Sequence, residues 1–132
     1  MTFPQPTLIN FAYPLTDRQR EQIEACLGAP LNMVLDVPVF FKTDEPFAIQ
    51  MGCLLDELPL SSQDWQSRAL LVNLPSQPVI AALLLAEIHG RAGHFPTVLR
   101  LRLVEEKLSP IYELAEIVNL EAVRSSARKK RG

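Results

Sequence analysis

The sequence is poor in the residue types and motifs on which many enzymes depend. Its 132 residues include two cysteines, two histidines and one tryptophan. It has no GxGxxG or GxxxxGK[ST] motif, which argues against the common dinucleotide fingerprint and against a P-loop. HExxH and GxSxG are also absent, so neither a zincin-type protease nor an α/β-hydrolase nucleophile is expected. Cys26 and Cys53 lack CxxC or Cys/His spacing, and we interpret them as reduced core residues that imply no metal and no cofactor.

Long hydrophobic stretches are missing as well. The longest uncharged apolar run, residues 79–86, is far shorter than the roughly 20 residues that span a bilayer. The start, MTFPQP, has neither the basic nor the apolar region of a signal peptide. The length and the 48% hydrophobic content indicate one globular domain over residues 1–132. We therefore expect a cytoplasmic protein without a membrane partner.

Positive charge is concentrated at the C-terminus. Of thirteen Lys and Arg residues, five lie in the last nine positions, whereas all fifteen Asp and Glu residues precede them. This basic tail, residues 124–132, can reach an anionic partner from an otherwise acidic body. It is also typical of a solvated, frayed terminus. Because nucleic-acid binding calls for a folded basic face as well, no duplex nucleic acid is expected as a partner.

The central segment has the pattern of a strand, a turn, a helix and a second strand. Residues 69–72 form a short apolar run, typical of a strand buried on both faces. A polar turn follows, in which Ser76 is the expected N-cap of a helix with a wide apolar face. Gly90 or Gly93 ends that helix in the left-handed conformation, and residues 97–103 supply the next strand. Together they predict one βαβ unit with a right-handed crossover.

Similar signals place the remaining elements. Thr16 and Gln19 have the spacing of a capping box, which predicts a helix to about Leu27. The other predicted elements are strands at 7–12, 33–37 and 112–120, helices at 47–58 and 121–130, a polar connection at 60–68 and a turn at 105–110. The fold class is therefore α/β: a Rossmann-like, mostly parallel sheet with helices on both faces and an antiparallel pair of C-terminal strands. Trp65 is expected to anchor the polar connection on the core, and Arg100 and Arg102 to pair with acids on the last strand.

Polar side chains follow the first and third predicted strands. This group comprises Asn10, Tyr13, Thr16, Asn73, Ser76 and Gln77. Because parallel strands end at the same edge of a sheet, we expect these residues to form one polar surface beside two helix N-termini. Free N–H groups there bind phosphate, and an aromatic ring stacks on a base, so the group predicts a nucleotide site. Asn and Ser at strand ends are also common as caps and turn formers.

A second cluster lies at the far end of the central helix. His89, Arg91 and His94 occur together in HGRAGHFP, near the helix C-terminus, where cations are favoured by the dipole. A helix of roughly 14 residues is about 21 Å long, so this cluster is expected at the opposite end of the subunit from Asn73. It is interpreted as a capping cluster or as a second contact surface that two stacked molecules share.

Four segments resemble a known family. LINFAYPLT, ALLVNLP, AEIHGRAGHFP with VLRLRLV, and YELAEIVNLEAVR resemble the small accessory proteins of type III CRISPR systems, in particular the Csx fifteen family, over most of the chain. That family is similar to the CRISPR-associated Rossmann-fold (CARF) ligand-binding domains. The resemblance implies a homodimer that binds a cyclic oligoadenylate, most often cyclic tetra-adenylate, across its two-fold axis. It implies contacts from Asn10, Asn73, Ser76 and Gln77.

Three functions remain open at this point. The first is a binding protein that sequesters or relays the cyclic messenger. The second is a metal-independent ring nuclease, which needs the ribose 2′-OH aligned on its own phosphate and has few candidate bases here. The third is a structural subunit that only packs against a protein partner, which a large exposed apolar patch would favour.

Overall fold

The fold is a five-stranded sheet with helices on both faces. The computed structural model describes residues 5–105 and 108–132. The strands are β1 (Thr7–Asn10), β2 (Met33–Asp36), β3 (Leu70–Asn73), β4 (Thr97–Glu105) and β5 (Pro110–Asn119). The helices are α1 (Asp17–Leu27), α2 (Phe47–Asp56), α3 (Ser62–Ser67), α4 (Pro78–Ala92) and α5 (Leu120–Arg128), followed by a 3₁₀ turn (Lys129–Arg131). The predicted α/β, Rossmann-like class is confirmed.

The sheet order creates a crevice between β1 and β3. The strands lie in the order β2-β1-β3-β4-β5, with the first four parallel and β5 antiparallel to β4. The chain moves outward from β1 to β2 and then crosses back to β3. Because βαβ crossovers are right-handed, this reversal puts helices on opposite faces of the sheet. The loops after β1 and β3 therefore diverge, which leaves a crevice at the carboxyl ends of the two strands.

Alternating side chains of the central strands fill two cores. Ile9 and Val72 point to the face covered by α2, α3 and α4. There they join Leu84 and Ile88 in a cluster that we call the first core. Their strand neighbours point to the opposite face, and Ile23 of α1 packs there. Trp65 joins the first core and is 3% exposed, so the prediction that it anchors its segment on the core is confirmed. Burial on both faces explains why residues 70–72 are apolar without alternation.

Local signals placed both ends of α1 correctly, whereas several strand and helix ends differ from the prediction by one or two residues. The capping box of Thr16 and Gln19 is present, and α1 ends at Gly28 in the left-handed conformation. The polar connection predicted at 60–68 contains a helix that was not predicted, α3, which begins with a second capping box formed by Ser61 and Asp64. The turn predicted at 105–110 includes residues 106 and 107, which lie outside the described residues.

Two further expectations need correction. Cys26 and Cys53 are exposed rather than in the core, because they lie on the outer faces of α1 and α2. Arg100 pairs with Glu116 across the strands as expected, with 3.0 Å between Arg100 Nη2 and Glu116 Oε2. Arg102 lies opposite Glu113, but Glu113 instead forms its ion pair with Arg18 of α1.

Helix α1 covers the outer edge of β5. The Gln19 side-chain amide donates to the backbone oxygen of Tyr112 at 2.8 Å, and the N–H of Leu114 donates to Gln22 Oε1 at 3.0 Å. An edge strand normally exposes such groups to other chains. The two glutamines therefore act as side-chain partners for the edge of β5.

We predict that Gln22→Ala lowers the free energy of unfolding by about 0.5–1.5 kcal/mol, because the Leu114 N–H loses its partner. Urea unfolding measures this change. The control is Gln63→Ala, which removes an exposed amide that makes no hydrogen bond with the described residues and should change stability by less than about 0.5 kcal/mol. Equal effects of the two substitutions would contradict this role of Gln22.

Candidate functional site

A depression opens at the carboxyl ends of β1, β2 and β3, and we call it the mouth. It has a volume of about 390 Å³. Residues 11–14 after β1, 38–40 after β2, 75–77 after β3 and Ile80 of α4 line it. The mouth thus lies at the reversal of strand order, where open α/β sheets commonly bind ligands.

Two aromatic rings stand exposed at the mouth. Tyr13 is 91% exposed and Phe40 is 89% exposed, and both line the depression. The surrounding wall is largely apolar and includes the buried side chains of Phe11 and Ile80. Large exposed rings around an apolar depression form a surface that a flat aromatic ligand can cover.

The side chain of Asn10 shapes the loop that carries Tyr13. Its Oδ1 accepts the N–H of Ala12 at 3.1 Å, and its Nδ2 donates to the backbone oxygen of Tyr13 at 2.9 Å. The same Nδ2 donates to Asp36 Oδ1 at the end of β2 at 3.0 Å. These bonds hold the loop after β1 in a tight turn, so the Tyr13 ring projects outward.

Asn73 completes this network from β3. Asn10 and Asn73 are register partners, and Asn73 Nδ2 donates to Asn10 Oδ1 at 3.0 Å. The expectation that the two asparagines lie together is therefore met. Their burial differs from what we expected, since Asn10 is 0% and Asn73 is 6% exposed. Asn10 already makes four hydrogen bonds inside the protein, so it supports the mouth instead of offering a free amide.

The other predicted residues divide between the mouth and the helix caps. Ser76 and Gln77 line the mouth. Gln77, not Ser76, is the N-cap of α4, and its Oε1 accepts the N–H of Ile80 at 2.7 Å. The Ser76 hydroxyl is thereby left exposed. Thr16 caps α1 through the N–H of Gln19 and does not line the mouth.

The mouth is electrically neutral along its wall. Among residues 5–105 and 108–132, no Lys, Arg, His, Asp or Glu side chain lines it. The two helix N-termini also offer fewer N–H groups than expected, because Pro78 has none and side chains cap both helices. This wall suits an uncharged planar ring with hydrogen-bonding edges better than a phosphate group.

Phe40 is a residue that our reading of the sequence missed. It lies in the loop after β2, beyond the strand that ends at Asp36. Pro38 is unsuitable for a central strand, and that signal places residues 39–41 in a loop at the same end of the sheet as Asn10. The rule applied to β1 and β3 would have found Phe40 had it been extended to β2.

The second predicted surface lies at the other end of α4. This helix has 15 residues and is therefore about 22 Å long. Arg91 bonds to Asp56 at 2.8 Å and Glu87 at 2.9 Å, and its guanidinium carbon is 6.0 Å from the Trp65 ring centroid. Partial burial on its own lowers the pKa of Arg91. The hydrogen bonds and charges of Asp56 and Glu87 outweigh this effect, so the pKa is raised. The Arg91 cation therefore holds α4 against α2 and α3.

The histidines of this segment also have partners within the protein. The rings of His89 and Phe95 lie 4.4 Å apart, and His94 Nδ1 is 3.1 Å from the backbone oxygen of Ala92. The N–H of Phe95 donates to Glu121 Oε2 at 2.7 Å, which links this loop to α5. That hydrogen bond lowers the pKa of the Glu121 carboxyl, and the positive charge of Arg124 adds to the effect. HGRAGHFP is thus a junction between α4, β4 and α5.

The fold and the mouth define an α/β protein with a Rossmann-like sheet and a neutral, aromatic depression at its topological switch point. Comparison with known protein families, with curated proteins and with solved structures finds no match to this chain. Over residues 5–105 and 108–132, no helix is both long and apolar enough to cross a membrane. In the same part of the chain, no three His, Cys, Asp or Glu side chains gather as a metal site would require.

We predict that Asn10→Ala lowers the free energy of unfolding by about 2–3 kcal/mol, because Asn73 Nδ2 and the Ala12 N–H lose a buried acceptor. Denaturant titration measures the loss. Asn32→Ala is the matched control, since Asn32 is exposed and its side chain makes no hydrogen bond with the described residues. An Asn10 variant as stable as the Asn32 variant would contradict the supporting role.

We also predict a pH-dependent effect of Glu121→Gln. The pKa of Glu121 is lowered by folding, so its contribution to stability is present above its ordinary value of 4.5 and is lost as pH falls through the folded-state value. The variant should have a lower Tm than the wild type at pH 7, and this difference should shrink below pH 4.5. Glu57→Gln, at an exposed site whose side chain makes no hydrogen bond with the described residues, should show no such trend. A constant Tm difference would refute the link.

Proposed function

We propose that this protein binds a cyclic oligoadenylate, with cyclic tetra-adenylate as the favoured ring, in type III CRISPR antiviral defence. Binding sequesters the messenger or relays it. The LINFAYPLT and HGRAGHFP segments and their resemblance to the Csx fifteen family support the adenylate. The main structural support for the proposal is the neutral wall of the mouth, where the rings of Tyr13 and Phe40 are exposed.

The chemistry of the mouth favours contact with the base. A base stacked on an aromatic ring gains about 1–3 kcal/mol, and adenine presents a flat face to Tyr13 or Phe40. The exposed Ser76 hydroxyl and the Gln77 amide nitrogen can then bond to polar edges of the nucleotide. Since no charged side chain of the described part of the chain lines the mouth, the phosphates of the ring face solvent or a second subunit.

The size of the mouth favours a dimeric receptor. A cavity of about 390 Å³ is near the lower limit for sites that take small ligands, and four linked nucleotides exceed it. In a two-fold homodimer each copy presents the same surface to half of a ring that repeats its own units. We therefore propose that two mouths share one ring, with further stacking of dimers as an extension.

The side chains that line the mouth, and the positions of the two histidines, favour binding over cleavage. A ring nuclease positions a base near the ribose 2′-OH, within about 2.6–3.2 Å. The lining of the mouth supplies hydroxyl and amide groups, which orient a substrate but are poor bases. His89 and His94 lie at the far end of α4 and are engaged there, so capture of the intact ring is the proposed activity.

We predict that Tyr13→Ala and Phe40→Ala each weaken binding of cyclic tetra-adenylate by about 5- to 150-fold, the loss of one stacked base. A gel shift with labelled cyclic tetra-adenylate, without metal, measures affinity and reveals any linear product. Tyr112→Ala is the control, because Tyr112 is an exposed tyrosine on β5 that does not line the mouth. It should bind like the wild type.

Other results would change the proposal in defined ways. Linear product formed at a catalytic rate would replace capture with cleavage. Normal binding by both aromatic variants would place the ligand elsewhere. No binding of any cyclic oligoadenylate by the wild type would remove this function altogether.

A further inference from the structure

The C-terminal helix is folded, exposed and strongly basic. It carries Arg124 and Arg128, and the 3₁₀ turn that follows adds Lys129, Lys130 and Arg131. No residue of α5 or of this turn is buried. We call residues 124–131 the basic end. It contains no acidic side chain, so five cations lie within eight consecutive residues.

The residues just before the basic end fix the start of α5 to the rest of the protein. Asn119 caps α5 by accepting the N–H of Ala122 at 3.0 Å. Leu120 packs against the first core, and Glu121 accepts the N–H of Phe95. These contacts hold the start of α5 on the junction between α4 and β4. The helix therefore presents its cations from a defined position on the protein.

Most of these cations have no counter-charge. Arg124 pairs with Glu121, with 3.3 Å between Arg124 Nη1 and Glu121 Oε1. In the part of the chain that the structure describes, Arg128, Lys129, Lys130 and Arg131 form no ion pair. Cations at a helix C-terminus gain up to about 1 kcal/mol each from the dipole, and this effect falls off within the last turn. That gain does not account for four consecutive cations that continue beyond α5.

The geometry of the turn distinguishes between kinds of anionic partner. A 3₁₀ helix has about three residues per turn, so Lys129, Lys130 and Arg131 point in directions about 120° apart. Their side chains thus leave the backbone on different sides of the turn, whereas a helix that lies on a flat protein surface or on lipid headgroups presents its cations from one side. α5 also lacks the bulky apolar face of a membrane-bound helix, since Val123 is its one large exposed apolar side chain. A flexible polyanion can wrap around such a group.

We propose that the basic end binds the backbone of single-stranded RNA without sequence preference. Phosphates along a flexible strand can meet cations that point in several directions, and no aromatic ring in residues 120–132 reads a base. This site is separate from the mouth. β5 ends at Asn119 beside Thr97, the first residue of β4. α5 therefore starts at the end of the sheet where the parallel strands begin, opposite the carboxyl ends of β1 and β3.

The experiment measures fluorescence anisotropy of a labelled oligouridylate, about 20 nucleotides long, with the full-length protein at several salt concentrations. Wild type should bind with a log–log salt slope of about −3, as expected for four phosphate contacts on a single strand. The variant with Arg128, Lys129, Lys130 and Arg131 all changed to alanine should bind about tenfold more weakly or worse at ~50 mM salt, with a slope near zero.

A charge-matched control separates the effect of where the cations lie from the effect of the protein's net charge. It replaces Arg20, Lys42, Arg100 and Arg102 with alanine, which also removes four exposed cations but leaves the basic end intact. This control should bind the oligouridylate like the wild type. Circular dichroism and thermal unfolding establish that both fourfold variants are folded.

Several outcomes would overturn the proposal. Undetectable RNA binding at ~50 mM salt would do so, as would equal losses in both fourfold variants, which mark a general charge effect. Polyglutamate bound as tightly as RNA at the same salt would indicate an acidic protein partner instead. Loss of RNA binding in Tyr13→Ala but not in the basic-end variant would move the RNA to the mouth.

Discussion

The structure depends on a chain of hydrogen bonds across three strands, in which Asn10 and Asn73 are buried and Asp36 is exposed. Asp36 of β2, Asn10 of β1 and Asn73 of β3 are joined by side-chain bonds of 3.0 Å. Burying a polar group costs free energy unless the group is hydrogen-bonded. Each asparagine therefore holds the end of its own strand in place beside the end of the neighbouring strand. The bonds from Asn10 to the following loop extend the constraint to Tyr13. The surface of the mouth is therefore set largely by two buried asparagines that do not themselves line it.

Residues with local signals were predictable from the sequence, and residues defined by long-range packing were not. The Thr16–Gln19 capping box acts within a few positions, and both the box and the helix end near Leu27 were found. Ser61 and Asp64 carry the same signal but were overlooked inside a polar segment. The N-cap of α4 was misassigned by one residue, since Ser76 and Gln77 both precede Pro78 and only the folded chain shows which one bonds to Ile80.

The candidate site was predictable in position but less so in chemistry. Parallel strands alone place Asn10, Asn73, Ser76 and Gln77 at one edge. Whether an asparagine faces water or its neighbour depends on the side chain beside it in the sheet, and Asn73 lies 63 positions from Asn10. Phe40 enters the mouth from a third loop, in which its neighbours Val39 and Phe41 pack against the core while Phe40 itself remains exposed. Spacing within a single segment carries no information of this kind.

The exposed thiols have a practical consequence for oligomer measurements. Cys26 lies on α1 and Cys53 on α2, so they emerge on opposite faces of the sheet. Oxidation in air can join such thiols between molecules, and a molecule bearing two of them can extend a covalent chain in both directions. Sedimentation or light-scattering masses are therefore meaningful only under reducing conditions. The same two positions accept maleimide dyes, which would report the distance between subunits by energy transfer.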